Sequence, residues 1–180
     1  MVDRRVLYRA WPYGLVILCV GVVIFLCWWR CGRSSTTLLI VRHADRVAGQ
    51  DALSPAGVAR AQELLHVTEK AALAGIYHSD TVRARETAQP TAAALGVTPV
   101  ELPANDIAAL INHINTNHRG ATVLVIGHSN TVPLIISEAG GPTIPNLPDD
   151  EFDNFFVLER CRCWWGAAKL VNLQYGAPSP

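Results

Sequence analysis

From residue 38 onward the sequence alternates between short apolar runs and longer segments with helical periodicity. Residues 38–41 (LLIV) form an uninterrupted apolar run typical of a strand buried on both faces, and residues 122–126 (TVLVI) form the clearest further strand. Segments of about 10–20 residues with helical spacing separate these runs. The alternation predicts an α/β fold, a three-layer sandwich in which helices flank a mostly parallel central sheet.

Capping and breaking residues set the predicted boundaries of the elements. Ser54 can cap a helix that has Pro55 in its first turn, and Gly96 stops a helix that begins at residue 81. The first helix is expected to end near residues 74–75, and Pro90 is a point at which the second can be interrupted. Further strands are predicted over residues 76–79, 97–102, 155–158 and 169–173, the last two as a hairpin at a sheet edge, and further helices over residues 105–117 and 132–139.

The amino-terminal part is uniformly apolar. Residues 10–29 contain no charged side chain, and twenty helical residues span about 30 Å, the thickness of a bilayer core. Pro12 restricts the regular helix to residues 13–29, and tryptophan or tyrosine stands at each end of it, as at membrane interfaces. A cleaved signal peptide is the alternative, but the run ends in bulky residues instead of a small-residue cleavage site. We therefore expect an uncleaved transmembrane anchor.

The chain is accordingly predicted to contain one globular domain behind this anchor. The predicted parts are an amino-terminal flank (1–12), the anchor (13–29), a polar linker (30–37), the domain (38–176) and a tail (177–180). Three arginines precede the anchor and two follow it closely, so the positive-inside tendency favours a cytoplasmic amino terminus. The expected location is a single-pass membrane protein with an extracytoplasmic (periplasmic) domain.

Charge and cysteine content exclude some partners and scaffolds. Fifteen basic residues balance fifteen acidic residues, so no nucleic-acid partner is expected. Cys161 and Cys163 are two residues apart, a spacing that fits neither a relaxed disulfide nor the usual zinc pairs, and we interpret them as small apolar residues of a strand. No metal or other cofactor is predicted.

Two of the predicted strands end in a histidine, and a third is followed by an arginine. Arg42 and His43 follow the first strand, His128 follows the clearest strand, and Arg83 stands shortly after a third. Since ligands of open α/β sheets gather at the carboxyl ends of strands, these side chains are expected to meet over one crevice. A neutral imidazole can attack phosphorus, guanidinium groups bind phosphoryl oxygens, and a second, protonated imidazole can add positive charge. The set predicts a phosphoryl site that needs no metal.

Four segments, in the same order, resemble motifs of the histidine phosphatase superfamily, also called phosphoglycerate mutase-like. Residues 39–44 (LIVRHA) resemble its Arg-His-Gly or Arg-His-Ala signature, and residues 53–62 (LSPAGVARAQ) resemble its Leu-Thr/Ser-x-x-Gly-x-x-Gln-Ala helix start. Residues 77–88 (YHSDTVRARETA) resemble its Ser-Ser-x-x-x-Arg-Ala-x-x-Thr-Ala block, and residues 125–129 (VIGHS) resemble its Val-x-His-Gly block. The resemblance covers about residues 38–135 and implies a phosphatase that works through a phosphohistidine intermediate.

The resemblance also implies roles for single residues. The implied catalytic group consists of the nucleophile His43 and the residues that hold the phosphoryl group, Arg42, Arg83 and His128. Arg46 and Asn130 are close enough in sequence to be substrate-binding residues. The expected substrate is a small phosphorylated molecule or an exposed phosphoryl group, because the chain lacks the insertions that cover the site in larger members.

The sequence departs from the family at the acid that protonates the leaving group. Many members carry it beside the second histidine, where this chain has Ser129 and Asn130, or after the third block, where no motif is recognisable. Asp106 and Asp45 are the candidate proton donors. Asp106 precedes a predicted helix and is equally suited to cap it.

Two other functions remain open at this point. His43-Ala44-Asp45 and His78-Ser79-Asp80 are both His-x-Asp pairs, which suggests a metal-dependent phosphoesterase, although nearby arginines would repel a divalent ion. A non-catalytic module that binds phosphorylated ligands is the second alternative, because the acid is missing from its usual places.

Overall fold

The computed structural model of the protein describes residues 16–25, 35–160 and 168–179. A helix over residues 16–25 (α1) comes first. The elements that follow are β1 (Thr36–Arg42), α2 (Pro55–Thr68), β2 (Leu73–Ser79), α3 (Val82–Leu95), β3 (Val100–Leu102), α4 (Ile107–Asn117), β4 (Thr122–Gly127), α5 (Thr131–Glu138), β5 (Asn154–Arg160) and β6 (Lys169–Gln174).

The six strands that the structure describes form one mixed sheet in the order β3-β2-β4-β1-β5-β6. Strands β3, β2, β4 and β1 run parallel, whereas β5 and β6 pair antiparallel and close one edge of the sheet. The prediction of an α/β fold with helices flanking a sheet is confirmed, and so is the closing hairpin at its edge. The sheet is mixed because one strand, β5, runs opposite to the other five, which makes its pairings with β1 and β6 antiparallel.

Alternation along β1 shows why two helical layers are needed. Leu38 and Ile40 belong to the apolar cluster that includes α4 and α5, whereas Leu39 and Val41 belong to the cluster that includes α2 and α3. All four side chains are at most 7% exposed. A central parallel strand must cover both of its faces, which the run of four apolar residues makes possible.

Local signals explain where most elements begin and end. Ser54 accepts a hydrogen bond from the Gly57 N–H and caps α2, and Gly96 ends α3 with a φ of 65°, a left-handed conformation that suits glycine. Asp106 caps α4 by accepting from the Ala109 N–H at 3.0 Å. Pro90 lies inside a continuous α3, and Glu86, whose carbonyl loses its helical donor, is exposed to water.

The predicted end of α2, start of β2 and start of β3 were wrong. Helix α2 ends at Thr68 and not near residues 74–75, because the following segment pairs with β4 from Leu73 onward as strand β2. Strand β3 is limited to Val100–Leu102, since only these residues pair with β2 and the sheet ends there. Strand pairing therefore overrides the helix propensity of the alanine-rich segment after Thr68.

The predicted anchor lies mostly outside the described residues. Helix α1 covers residues 16–25 of it, and its large apolar side chains are 50–71% exposed. Within the described ranges, no helix is both long enough and apolar enough to cross a membrane. Cys161 and Cys163, which we predicted to be strand residues, fall in a part of the chain that is not described.

Candidate active site

The register of two neighbouring parallel strands brings the two predicted histidines together. Arg42 of β1 is paired with Gly127 of β4, and the His43 N–H donates to the Gly127 carbonyl at 2.9 Å. Each histidine is therefore the first residue after its strand at the same edge of the sheet. The centroids of the His43 and His128 rings are 5.2 Å apart, with an angle of 62° between the ring planes.

The imidazole of His43 is held in one orientation and one tautomer. Its Nδ1 lies 2.8 Å from the Ala44 carbonyl oxygen, which can only accept, so Nδ1 carries the proton and donates it. The other ring nitrogen, Nε2, then has a free lone pair. Burial, with smaller contributions from His128, Arg42 and Arg83, lowers the pKa of His43 from 6.5 to about 3. His43 is thus a neutral imidazole at neutral pH, the form that can act as a nucleophile.

His128 is fixed by a hydrogen bond on each side of its ring. Arg83 Nη2, which can only donate, lies 3.4 Å from Nδ1, and Nε2 lies 2.7 Å from the Ser79 hydroxyl oxygen. Nδ1 therefore accepts and Nε2 donates. Burial and the charges of Arg83 and Arg42 lower the pKa of His128 from 6.5 to about 4. The positive charge that we expected from this imidazole is absent at neutral pH in the unliganded site.

Arg42 is a buried cation anchored to the loop that precedes β5. Its Nη1 donates to the carbonyl oxygens of Pro148 and Glu151 at 2.7 and 2.8 Å, and its guanidinium carbon lies 4.1 Å from the centroid of the Phe152 ring. Only 2% of the residue is exposed. Burial lowers the pKa of Arg42, and the nearby carboxylate of Asp149 opposes this effect.

Arg83 approaches the histidines from the first turn of α3. Its Nη1 forms an ion pair with Asp51 at 2.8 Å, while its Nη2 faces His128. The Nε atoms of Arg83 and Arg42 are buried and have no hydrogen-bond partner among the described residues. Buried donors of this kind are rare, and an anion bound beside the guanidinium groups would satisfy them.

These side chains line an open cleft with an empty volume of about 710 Å³. Both arginines and both histidines of the predicted catalytic group line it, and so do the predicted substrate contacts Arg46 and Asn130. The remaining lining residues are small or polar, namely Thr81, Ala104, Asn105, Ser129, Thr131 and Asp149. The structure thus gathers six of the eight predicted site residues, which span residues 42 to 130, at one opening.

The two candidate proton donors are not among the residues that line this cleft. The Asp45 carboxylate is bound by Arg60, with 2.6 Å between Oδ2 and Nε and 3.4 Å between Oδ1 and Nη2. Asp106 caps α4 and lines a separate, mostly apolar cavity beneath the cleft. Each carboxylate therefore has a structural partner that explains its presence.

The loop that carries His43 is supported from two sides. The Ala44 N–H donates to the Thr87 hydroxyl at 3.0 Å, and Thr87 in turn donates to the Arg83 carbonyl. On the other side, a Cβ atom at Gly57 would collide with the Asp45 carbonyl oxygen, so only glycine allows α2 to start this close to the loop. The second and third sequence motifs therefore position the first.

Sequence reasoning missed three contributors to the site. Ser79 orients His128, and Asp51 orients Arg83. Ser79 lies inside the third motif, where its serine was a signal that we did not use, whereas Asp51 lies in no motif. The third contributor is the loop of residues 147–152, to which the sequence analysis assigned no role. Its backbone carbonyls hold Arg42, a role that does not depend on side-chain identity and that leaves no sequence pattern.

The His-x-Asp pairs do not form a ligand cluster. Asp45 is bound to Arg60, and His78 Nδ1 lies 2.8 Å from the Ser79 carbonyl oxygen. In the described part of the chain, no group of three or more histidine, cysteine, aspartate or glutamate side chains is placed to hold a metal ion.

Comparison with known proteins agrees with this geometry. The sequence model of the Histidine phosphatase superfamily (branch 1) matches residues 38–106. No curated protein sequence matches the chain. The structure is similar to that of the protein histidine phosphatase SixA complexed with tungstate, with a TM-score of 0.60 and 18% identity over 77% of this chain and 96% of that chain.

Two further solved structures extend the comparison. One is phosphoglycerate mutase from Plasmodium falciparum, with a TM-score of 0.52 and 18% identity over 82% of this chain and 94% of that chain. The other is the mycobacterial glucosyl-3-phosphoglycerate phosphatase in complex with VO3, with a TM-score of 0.53 and 15% identity over 71% of this chain and 98% of that chain.

Fold and site together define a class, the phosphoglycerate mutase-like α/β proteins with a histidine- and arginine-lined cleft at the carboxyl edge of the sheet. Within this class, the family model and the four motifs point to one family. Over residues 38–106 the sequence matches the model of the histidine phosphatase superfamily.

Proposed function

We propose that this protein is a phosphatase that hydrolyses a phosphomonoester or a related phosphorylated group through a phosphohistidine at His43. Nε2 of His43 attacks phosphorus, the bond to the leaving group breaks, and water then releases phosphate from the imidazole. Arg42, Arg83 and His128 bind the phosphoryl oxygens and stabilise the charge that spreads over them in a loose transition state.

One observation carries the proposal. The nucleophilic nitrogen is identified by a hydrogen bond, because Nδ1 of His43 is committed to the Ala44 carbonyl and only Nε2 has a lone pair to offer. The same ring lies 5.2 Å from that of His128, in a cleft that two guanidinium groups also line. A nucleophile and two fixed cations are therefore in place before substrate binds, which is the requirement for electrostatic preorganisation.

The open, polar cleft supports a substrate whose phosphoryl group is exposed. A small phosphorylated molecule and a phosphorylated side chain on a protein surface both meet this condition. The similar proteins include a protein histidine phosphatase and a glucosyl-3-phosphoglycerate phosphatase, which represent these two substrate classes. No lining residue supplies a large apolar surface for a hydrophobic leaving group.

Hydrolysis of p-nitrophenyl phosphate in the presence of EDTA tests the proposed chemistry. We expect the protein to turn over this substrate with and without the chelator, and we expect His43→Ala to lower turnover by at least about 1,000-fold, since the nucleophile is lost. His66→Ala is the matched control because His66 is an exposed histidine on α2, and its activity should equal that of the unmodified protein.

Other outcomes would support the competing functions. Activity that EDTA abolishes and divalent metal restores would indicate a metal-dependent phosphoesterase. Tight binding of phosphate without turnover of any aryl phosphate would indicate a phospho-ligand-binding module. Either result would contradict the proposal.

We also propose that residues 13–29 anchor the protein in a membrane, with the catalytic domain on the extracytoplasmic side. The absence of charge over residues 10–29 and the aromatic residues at both ends support this. The apolar side chains of α1, which are exposed to the surroundings, are consistent with it. The excess of arginine before the segment supports the orientation.

Extraction of membranes with alkaline carbonate tests the anchor. The full chain should stay in the membrane pellet, whereas Leu18→Asp combined with Val22→Asp should release it, because each aspartate near a helix centre costs about 2.5–3.5 kcal/mol of insertion free energy. Val58→Asp with Val67→Asp, at exposed apolar positions of α2, is the matched control and should remain in the pellet. Release of the unmodified chain would contradict the anchor, and protection of its domain from protease added to spheroplasts would contradict the orientation.

A further inference from the structure

The proton that a leaving group needs does not come from either histidine of the cleft. This inference rests on the proposed function, because an alkoxide or amide that departs from phosphorus needs a proton. His43 is the nucleophile and is therefore not available as the acid. Both ring nitrogens of His128 are engaged, Nδ1 by Arg83 and Nε2–H as a donor to Ser79. The acid must be another group.

Most nearby carboxylates are engaged elsewhere. Asp45 is bound to Arg60, Asp51 is bound to Arg83 and to the Val82 N–H, and Asp106 caps α4. Asp80 accepts from the Ala104 N–H at 3.2 Å. A carboxylate that already binds a guanidinium or helix N–H loses these bonds if it takes up a proton, which disfavours it as an acid.

Asp149 differs from these carboxylates because it lines the cleft and because its carboxyl group is exposed and has only long contacts with other side chains. Among the described residues that line the cleft, it is the only one with a carboxyl group. Its side chain is 89% exposed, 3.9 Å from Arg42 Nη2 and 3.5 Å from the Ser129 hydroxyl. The first distance is too long for a hydrogen bond, and the second is at the limit of one.

The backbone around Asp149 is fixed to both catalytic strand ends. The Pro148 and Glu151 carbonyls, on either side of it, accept hydrogen bonds from Arg42. The Leu147 N–H donates to the carbonyl of Ser129, the residue after His128. An exposed carboxyl group that lines the cleft is thus carried on an anchored loop.

We propose that Asp149 is the proton donor to the leaving group and the proton acceptor from water in the second step. When the Nε2–phosphorus bond of His43 forms and the phosphorus–oxygen bond breaks, the electron pair stays on the leaving oxygen, which takes the proton of the Asp149 carboxyl group. Water then attacks phosphorus and gives one proton to the Asp149 carboxylate. The nitrogen–phosphorus bond breaks with its pair returning to Nε2, so both residues are regenerated and the products are an alcohol and inorganic phosphate.

The dependence of rate on the leaving group tests this assignment. Asp149→Asn removes the transferable proton and keeps the shape of the side chain. We expect kcat/KM for an alkyl phosphate such as glycerol 2-phosphate to fall about 100-fold or more, the usual contribution of a general acid. For p-nitrophenyl phosphate, whose leaving group needs little protonation, the fall in kcat/KM should be no more than about threefold.

Asp150→Asn is the matched control, because it removes the same charge from the next residue of the same loop, and Asp150 does not line the cleft. It should change kcat/KM for both substrates by less than about threefold. An equal loss on both substrates in Asp149→Asn, an equal loss in Asp150→Asn, or no loss in either variant would overturn the assignment. The proposed function fails separately, since then the unmodified protein would not hydrolyse p-nitrophenyl phosphate.

Discussion

At the scale of single residues, the site depends on keeping two imidazoles uncharged. His43 and His128 are 3% and 8% exposed and lie beside two arginines, so protonation of either ring places an additional positive charge in a cationic, desolvated region. Burial is the largest cause of the lowered pKa at both rings. The hydrogen bond from His43 to Ala44 opposes this effect but mainly selects which nitrogen faces phosphorus.

This arrangement predicts how stability changes with pH. In the unfolded chain both histidines titrate near 6.5, whereas in the folded protein their pKa values are about 3 and about 4. Below pH 6.5 the unfolded chain therefore binds more protons than the folded protein, so the free energy of unfolding is greatest above this pH and declines as the pH falls toward 4. The upper limit is about 1.4 kcal/mol per pH unit for each ring.

Urea unfolding at about pH 7 and about pH 5 measures this decline. His43→Asn combined with His128→Asn should make the loss of stability between the two pH values clearly smaller, because the variant has no ring to protonate. His66→Asn should leave the loss unchanged. The explanation would be wrong if the double variant lost as much stability over this interval as the unmodified protein.

At the scale of secondary-structure elements, the sequence predicted the site residues that follow directly after the end of a strand. A buried apolar run followed by Arg42 and His43, and a second followed by His128, place these residues at one sheet edge once the strands run parallel and adjacent. The motif block that begins with β2 adds Arg83 through the first turn of α3. Periodicity and chain direction are enough to make this inference.

The parts that could not be predicted are those made by contacts between distant backbone groups. The loop of residues 147–152 holds Arg42 through carbonyl oxygens more than 100 positions away in sequence. Its charged residues gave it the composition of a solvated loop, and carbonyl contacts do not select residue types. The early end of α2 was missed for a similar reason, since pairing with β4 overrides local helix preference.

At the scale of the whole molecule, the fold separates the cleft from the point where the chain enters the domain. The chain enters β1 at Thr36, and the site begins six residues later at Arg42, at the other end of this seven-residue strand. Seven strand residues cover about 23 Å. The membrane anchor that we propose for residues 13–29 would thus be attached at the end of β1 that is far from the cleft.

The central claim is that phosphate passes through Nε2 of His43, and detection of the intermediate tests it most directly. The protein can be mixed with an aryl phosphate, quenched in alkali during turnover, digested and mapped for phosphate by mass spectrometry. We predict one modified residue, His43, whose phosphate is stable in alkali and lost in acid, and none in His43→Asn. Phosphate on His128 or on another residue, or steady turnover with no phosphorylated histidine at any time point, would contradict the claim.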